Sequence, residues 1–116
     1  MRIGILGVGA LGGLFLHRLS EVESELHLLT RSPTKDALDE RGLMVHYDGR
    51  PDILEVVPPQ RFQYLDSNST LDLAIVCGKN HHVSELTGIA SQHLDENGKI
   101  LLVQNGIGHP ERAVGI

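Results

Sequence analysis

A short apolar strand that stops at closely spaced glycines constrains this chain more than any other feature. The segment Arg2–Leu6 is followed by Gly7, Gly9 and Gly12, where a helical pattern of apolar residues begins. In such a unit the first glycine permits a tight turn, the second lets the backbone approach a pyrophosphate, and the third lets the helix pack close to the strand. The pattern predicts a dinucleotide-binding loop with the pyrophosphate at the first turn of the helix. The loop comprises Gly7, Val8, Gly9, Ala10, Leu11 and Gly12.

A glycine-rich turn without a ligand is the alternative for this motif, because the glycine spacing alone is common. The context favours the ligand, since the motif lies between a strand pattern and a helix pattern.

Strand and helix patterns alternate along the rest of the chain. Apolar runs predict further strands at residues 25–30, 43–47, 53–57, 71–77 and 99–103. The second and third of these are separated by turn-forming residues, so we expect a hairpin there. The alternation as a whole predicts an α/β fold, namely a Rossmann-like, doubly wound and mostly parallel sheet with helices on both faces.

Local signals mark the limits of the helices. Pro33 and Gly42 bound a predicted helix, because proline suits the first helical turn and glycine the residue after the last. A later helix follows apolar positions from Ser84 to Leu94 and is expected to end near Asn97. Residues 60–70 are polar without periodicity and predict a connection.

Length and charge limit what the chain can be. Its 116 residues suffice for one domain over residues 1–116. Because a doubly wound dinucleotide domain has two mononucleotide-binding halves, we expect this one to be incomplete at its C-terminus. The 10 basic and 15 acidic residues give a formal net charge of −5, which argues against nucleic acid as a partner.

Apolar runs and cysteine content give further expectations. No run approaches the ~20 apolar residues of a membrane span, and the strand pattern directly after Met1 leaves no room for a signal peptide. We therefore expect a cytoplasmic protein. Cys77 is the single cysteine and ends an apolar run, so we expect a buried core residue rather than a reactive thiol.

The residue that follows the second predicted strand indicates which dinucleotide is bound. In NAD-binding domains an acidic residue about 20 positions beyond the glycine loop holds the ribose hydroxyls, whereas a basic residue accommodates the 2′-phosphate of NADP. Here the position is occupied by Arg31, flanked by the hydroxyl residues Thr30 and Ser32. The pattern favours NADP (NADPH), with Lys35 as a second candidate cation; an ordinary solvated arginine is the alternative.

Polar residues also follow two later strands. Lys79 comes after the strand at 71–77, and Asn105 comes after the strand at 99–103. In open α/β sheets ligands bind at the carboxyl ends of the strands, so we expect Lys79 and Asn105 to contribute to one site. The alternatives are a solvated lysine and an ordinary Asn-Gly turn.

These motifs resemble the N-terminal part of the ketopantoate reductase (2-dehydropantoate 2-reductase) family. The resemblance rests on the glycine loop, Arg31, the run from Leu71 to Lys79, and the segment from Gln104 to Gly108, which occur in the family's order. It implies an oxidoreductase of pantothenate biosynthesis that transfers hydride from NADPH to a 2-oxo acid such as ketopantoate. It also implies that Lys79 and Asn105 position the nicotinamide and the substrate, and that Arg31 holds the 2′-phosphate.

Two departures from the family pattern bear on activity. Gly78 and the following Asn80, His81 and His82 differ from the residues usual around the lysine. By the resemblance, the family's proton-donating lysine and its substrate-binding glutamate lie in a helical C-terminal domain, which we expect to be absent from these 116 residues. A free-standing, non-catalytic dinucleotide-binding or sensing module that acts with a partner chain is therefore the alternative to an enzyme.

Two expectations concern partners and metals. An unfinished sheet exposes apolar surface, so we expect a homo-oligomer or a covering helper domain. The adjacent residues His81 and His82 do not predict a metal site, because neighbouring side chains seldom point at one ion and no Cys or carboxylate cluster accompanies them.

Overall fold

A parallel five-stranded sheet and a separate two-stranded hairpin form the framework of the chain. The computed structural model describes residues 1–8, 10–47, 49–78 and 80–104. In chain order the elements are β1 (Arg2–Leu6), α1 (Ala10–Leu19), β2 (Glu25–Leu29), α2 (Ser32–Arg41), β3 (Leu43–Tyr47), β4 (Arg50–Val57), β5 (Gln63–Tyr64), β6 (Leu71–Gly78), α3 (Asn80–His93) and β7 (Leu94–Gln104), with a short 3-10 turn at Pro59–Arg61. Across the described ranges, no helix has the length and apolarity needed to cross a membrane.

The order of the strands creates a reversal beside β1. The sheet runs β5-β2-β1-β6-β7, and every neighbouring pair is parallel. The chain builds outward from β1 to β5, then returns to the other side of β1 for β6 and β7. Ligands of open α/β sheets bind at such a reversal, in the crevice outside the carboxyl ends of the strands. The crevice here lies beyond Leu6 and Gly78, where β1 and β6 end.

Apolar residues bury both faces of the sheet. One core layer packs Leu16 of α1 and Leu38 of α2 against strand residues that include Ile5, and the other packs Ala90 of α3 near Val76. Alternate strand residues point to opposite faces, which is why consecutive apolar runs suit strands covered on both sides. The predicted mostly parallel sheet with helices on both faces is confirmed.

Cys77 lies in the core layer beneath α1 and α2 and is 6% exposed. Burial raises the pKa of its thiol to about 11, because the thiolate is poorly solvated there. The prediction of a buried core cysteine is confirmed.

The chain differs from the predicted pattern at several places. β4 begins at Arg50, inside the predicted turn, and α3 begins at Asn80, ahead of Ser84. Residues 60–70, expected to be an irregular connection, contain the 3-10 turn and β5, whose two residues pair in parallel with His27 and Leu28. The helix α3 ends at His93, and β7 begins at Leu94, before the predicted helix end near Asn97. Leu94 pairs with Leu71 of β6 ahead of an irregularity in the register, so tertiary pairing overrides the local turn signal.

Arg61 fixes the turn between α1 and β2. Its guanidinium donates to the carbonyl oxygens of Ser20 at 2.9 Å, Ser24 at 3.1 Å and Val22 at 2.5 Å. These carbonyls follow the end of α1, where they have no partners within the helix. Arg61 thereby connects this turn to the segment that leads into β5.

Arg2 and Asp72 join β1 to β6 at the amino end of the sheet. The main-chain N–H of Arg2 donates to Oδ2 of Asp72 at 2.7 Å, and the Arg2 guanidinium donates to Oδ1 at 3.0 Å. The side-chain hydrogen bond from Arg2 is the largest of the effects that lower the pKa of Asp72 from 3.8 to about 2. The ionised form of Asp72 therefore stabilises the folded chain.

Because of this ion pair, the free energy of unfolding is expected to fall as the pH is lowered into the acid range. Because the folded pKa of Asp72 is lowered, its contribution is fully present above about pH 4 and is lost as the pH falls towards 2. Asp72→Asn is expected to be less stable than the wild type at pH 7, with a difference that shrinks through this interval. Urea denaturation at a series of pH values measures both curves. A difference that stays constant from pH 5 to about 2 contradicts the assignment.

Candidate functional site

Gly7 makes the turn from β1 towards α1 at the floor of the crevice. Its φ is 91°, which favours glycine, and its N–H donates to the carbonyl oxygen of Leu29 at the end of β2 at 2.8 Å. A Cβ at this position would overlap the carbonyl oxygen of Cys77 in β6. Gly7 is thus wedged between the ends of both strands that flank β1, and the tight turn predicted there is confirmed.

Gly12 lets α1 approach the turn. A Cβ on Gly12 would lie 2.5 Å from the carbonyl oxygen of Gly7 and 3.6 Å from Cγ2 of Ile5. The first distance leaves no room for a side chain and confirms the close helix packing predicted for the third glycine of the motif, and the second is an ordinary contact. The side chain of Val8 is 8% exposed and belongs to the core, so this residue can offer a ligand only its backbone.

The remaining residues of the loop lie at the start of α1. Ala10 and Leu11 form its first turn, and no acidic side chain occupies that turn. The partial positive charge of the helix N-terminus is therefore not neutralised by a residue of this turn, which suits an anionic ligand. Gly9 lies outside the described residues.

Arg31 lies at the rim of the crevice, directly before α2. Its backbone is extended, its side chain makes no cap hydrogen bond to α2, and the residue is exposed. Its Nη2 lies 2.9 Å from Nε2 of His82, in the first turn of α3. Since Arg31 follows β2 and α3 follows β6, this contact connects elements on the two sides of β1.

The contact with His82 is a feature that sequence reasoning missed. The two residues are separated by 51 positions in the sequence, and neither the metal-site test nor the family pattern around the lysine links His82 to Arg31. The strand order could have revealed this contact. In a Rossmann-like sheet β2 and β6 lie on either side of β1, so the segments that follow them, with Arg31 and His82, flank the end of β1.

Lys35, the second candidate cation, is engaged elsewhere. Its Nζ lies 3.4 Å from Oδ2 of Asp39 and 4.6 Å from the centre of the Tyr64 ring. The Tyr64 hydroxyl in turn donates to Oδ1 of Asp39 at 2.7 Å. Lys35 therefore belongs to a cluster between α2 and β5, which leaves Arg31 as the better candidate for a phosphate.

Lys79 and Asn105, expected in the site, lie outside the described residues. The strand ends that precede them are Gly78 in β6 and Gln104 in β7, and these two residues are register partners. The carboxyl ends of β6 and β7 therefore lie at one edge of the sheet, and the shared site of Lys79 and Asn105 stays a prediction.

A second group of polar side chains lies towards the other end of α1. His17 is 5% exposed, and its Nε2 is 2.9 Å from Oε2 of Glu55 in β4. Together with Glu21, these residues bring potential metal-ligand atoms within 4.8 Å of one another. The pair of His17 and Glu55 connects the hairpin to α1.

The strand order, the glycine turn and the crevice at the reversal define the class of protein as a Rossmann-like α/β domain. The profile of the family described as ketopantoate reductase PanE/ApbA matches residues 3–116, and the chain belongs to this family.

Individual proteins are similar to the chain in sequence or in fold. The chain is 30% identical over 112 residues to the 2-dehydropantoate 2-reductase of Lactococcus lactis subsp. lactis strain IL1403, covering 96% of this chain and 36% of that protein. The crystal structure of a PanE/ApbA family ketopantoate reductase from Ralstonia eutropha JMP134 superposes with a TM-score of 0.74 at 22% identity, covering 97% of this chain and 37% of the other. The chain thus spans little more than a third of the length of these relatives.

The fold is also shared with a dehydrogenase solved with a cofactor. The ternary structure of D-mandelate dehydrogenase with NADH and anilino(oxo)acetate has a TM-score of 0.69 at 23% identity, covering 97% of this chain and 36% of that one. At this identity the likeness shows the fold.

Proposed function

We propose that this chain is the NADPH-binding part of a 2-dehydropantoate 2-reductase-like oxidoreductase, which transfers hydride from NADPH to a 2-oxo acid such as ketopantoate. The observation that carries the proposal is the geometry of the crevice. A Gly7 turn without room for a side chain forms its floor, and the exposed cation Arg31 stands at its rim where an NAD-binding domain would have an acid. Membership of the ketopantoate reductase family supports the same conclusion.

The residues of the crevice fit a phosphorylated dinucleotide. The first turn of α1 offers main-chain N–H groups and the positive end of the helix dipole to a pyrophosphate. The guanidinium of Arg31 can donate two parallel hydrogen bonds to a 2′-phosphate, a geometry that a lysine cannot match. The nicotinamide, when bound, supplies the hydride chemistry, and the chain supplies binding and orientation.

Lys79 and Asn105 complete the proposed site. By the family resemblance they orient the nicotinamide and the 2-oxo acid through charge and hydrogen bonding. The proton donor and the remaining substrate contacts would come from a helical domain outside these 116 residues. We therefore expect the 116-residue chain to bind NADPH and to need that domain for turnover.

A second candidate is a non-catalytic dinucleotide-binding module that acts with a partner chain or as a homo-oligomer. It is favoured by apolar side chains that remain exposed on the described part of the chain. Leu101 of β7 is 36% exposed, and Leu14 of α1 is 50% exposed. Addition of a purified helical domain of the family in trans separates the two candidates, since NADPH-dependent reduction of a 2-oxo acid is expected only for the enzyme.

The direct test of the proposal is calorimetric titration of the 116-residue chain with NADPH and with NADH. Because only NADPH carries the 2′-phosphate, we expect it to bind at least ~10-fold more tightly at moderate ionic strength. Equal affinities contradict the assignment of NADPH, and absence of binding to either dinucleotide contradicts the proposed function itself.

A further inference from the structure

Arg31 is held across the crevice by a residue of another element. Its Nη2 lies 2.9 Å from Nε2 of His82, although Arg31 precedes α2 and His82 belongs to α3. Arg31 is exposed, whereas His82 is only partly exposed and lies against the end of β6, where a Cβ on Gly78 would be 3.7 Å from the His82 Cβ. His82 is therefore the more buried partner of the two.

The chemistry of the two groups fixes the direction of the hydrogen bond. A guanidinium is always protonated in proteins and can only donate. Nε2 of His82 must therefore accept, so the imidazole is neutral and carries its proton on Nδ1. The contact consumes one of the five N–H donors of Arg31. A bidentate grip on a phosphate needs two donors, so the same guanidinium can hold His82 and a phosphate together.

We propose that His82 is a positioning residue that selects for the adenosine 2′-phosphate by holding the Arg31 guanidinium at the rim of the crevice. An exposed arginine has many rotamers, and its immobilisation on a ligand costs free energy. The hydrogen bond to His82 restricts those rotamers before the ligand arrives. This saving in conformational free energy benefits only a ligand whose phosphate contacts Arg31. This inference rests on the proposed function, in which Arg31 binds the 2′-phosphate.

Two substitutions at position 82 test the proposal by titration with NADPH and NADH. His82→Leu keeps an apolar side chain of similar bulk but removes the acceptor, and it is expected to weaken NADPH binding about fivefold while NADH binding stays within about twofold. His82→Gln retains an acceptor oxygen and is expected to recover most of the affinity for NADPH. His46→Leu, at an exposed position of the hairpin, is the matched control and is expected to change neither affinity.

Combination with Arg31→Ala shows whether His82 acts through Arg31. In the Arg31→Ala background, His82→Leu is expected to have no further effect on NADPH binding, because the group that it positions is gone. An equal loss for NADPH and NADH in His82→Leu, or tighter binding of NADPH, overturns the proposal. If the wild type shows no preference for NADPH, the assignment of NADPH in the proposed function fails and this inference fails with it. The wild type could instead prefer NADPH, lose that preference in Arg31→Ala and keep it in His82→Leu. This result refutes the role of His82 and leaves the proposed function standing.

Discussion

Gly7→Ala is expected to lower the free energy of unfolding by about 3–5 kcal/mol and to abolish dinucleotide binding. A left-handed backbone conformation costs a residue with a Cβ roughly 1–2 kcal/mol. The larger cost at Gly7 comes from the overlap of the new Cβ with the carbonyl oxygen of Cys77, which forces the ends of β1 and β6 apart. Urea denaturation measures the loss of stability, and calorimetry with NADPH measures the loss of binding.

Gly49→Ala is the matched control for this prediction. Gly49 also has a positive φ, of 76°, but a Cβ there meets no atom of the described residues within 4 Å beyond its chain neighbours. This variant should therefore show only the conformational cost, roughly 1–2 kcal/mol, and should bind NADPH as the wild type does. If Gly7→Ala costs no more than Gly49→Ala, the close approach of Gly7 to β6 does not constrain the fold.

Arg31→Ala is expected to weaken NADPH binding about 100-fold and to leave NADH binding nearly unchanged. Hydrogen bonds to charged groups contribute about 1.5–3 kcal/mol each, and the loss of two of them is partly offset by solvent at this exposed rim. The substitution should not unwind α2, because the Arg31 side chain makes no cap hydrogen bond. Calorimetric titration with both dinucleotides measures the two affinities.

Arg41→Ala is the matched control, because it removes the same charge from the last turn of α2, at the far end of the helix from Arg31. It is expected to leave the preference for NADPH intact. A loss shared equally by NADPH and NADH in Arg31→Ala would assign the residue a structural role. A comparable loss in Arg41→Ala would indicate that net charge, rather than a specific contact, determines the affinity.

The elements foreseen from sequence are those specified by local interactions. The strand before Gly7 and the close packing at Gly12 follow from glycine spacing and apolar periodicity. The limits of α2 follow from Pro33 in its first turn and from Gly42, whose N–H donates to the carbonyl oxygen of Leu38 at 2.9 Å. In each case the residues that determine the structure lie within a few positions of one another.

The features that sequence missed depend on residues far apart in the chain. β5 has two residues and therefore no period to detect, and it is a strand only because β2 lies beside it. Leu94 enters β7 because Leu71 pairs with it, against the turn signal further along. The contact between Arg31 and His82 spans 51 positions. The roles of Lys79 and Asn105 remain predictions, since both lie outside the described residues.

The wedged position of Gly7 has a mechanical consequence for the crevice. The residue hydrogen-bonds to the end of β2 and contacts the end of β6, so three strand ends form one rigid floor. Close-packed backbone of this kind cannot widen to suit a ligand without breaking those contacts. Adaptation to ligands of different shape must then come from side chains at the rim. The backbone at the floor of the crevice sets a fixed shape, and only the side chains around it can move.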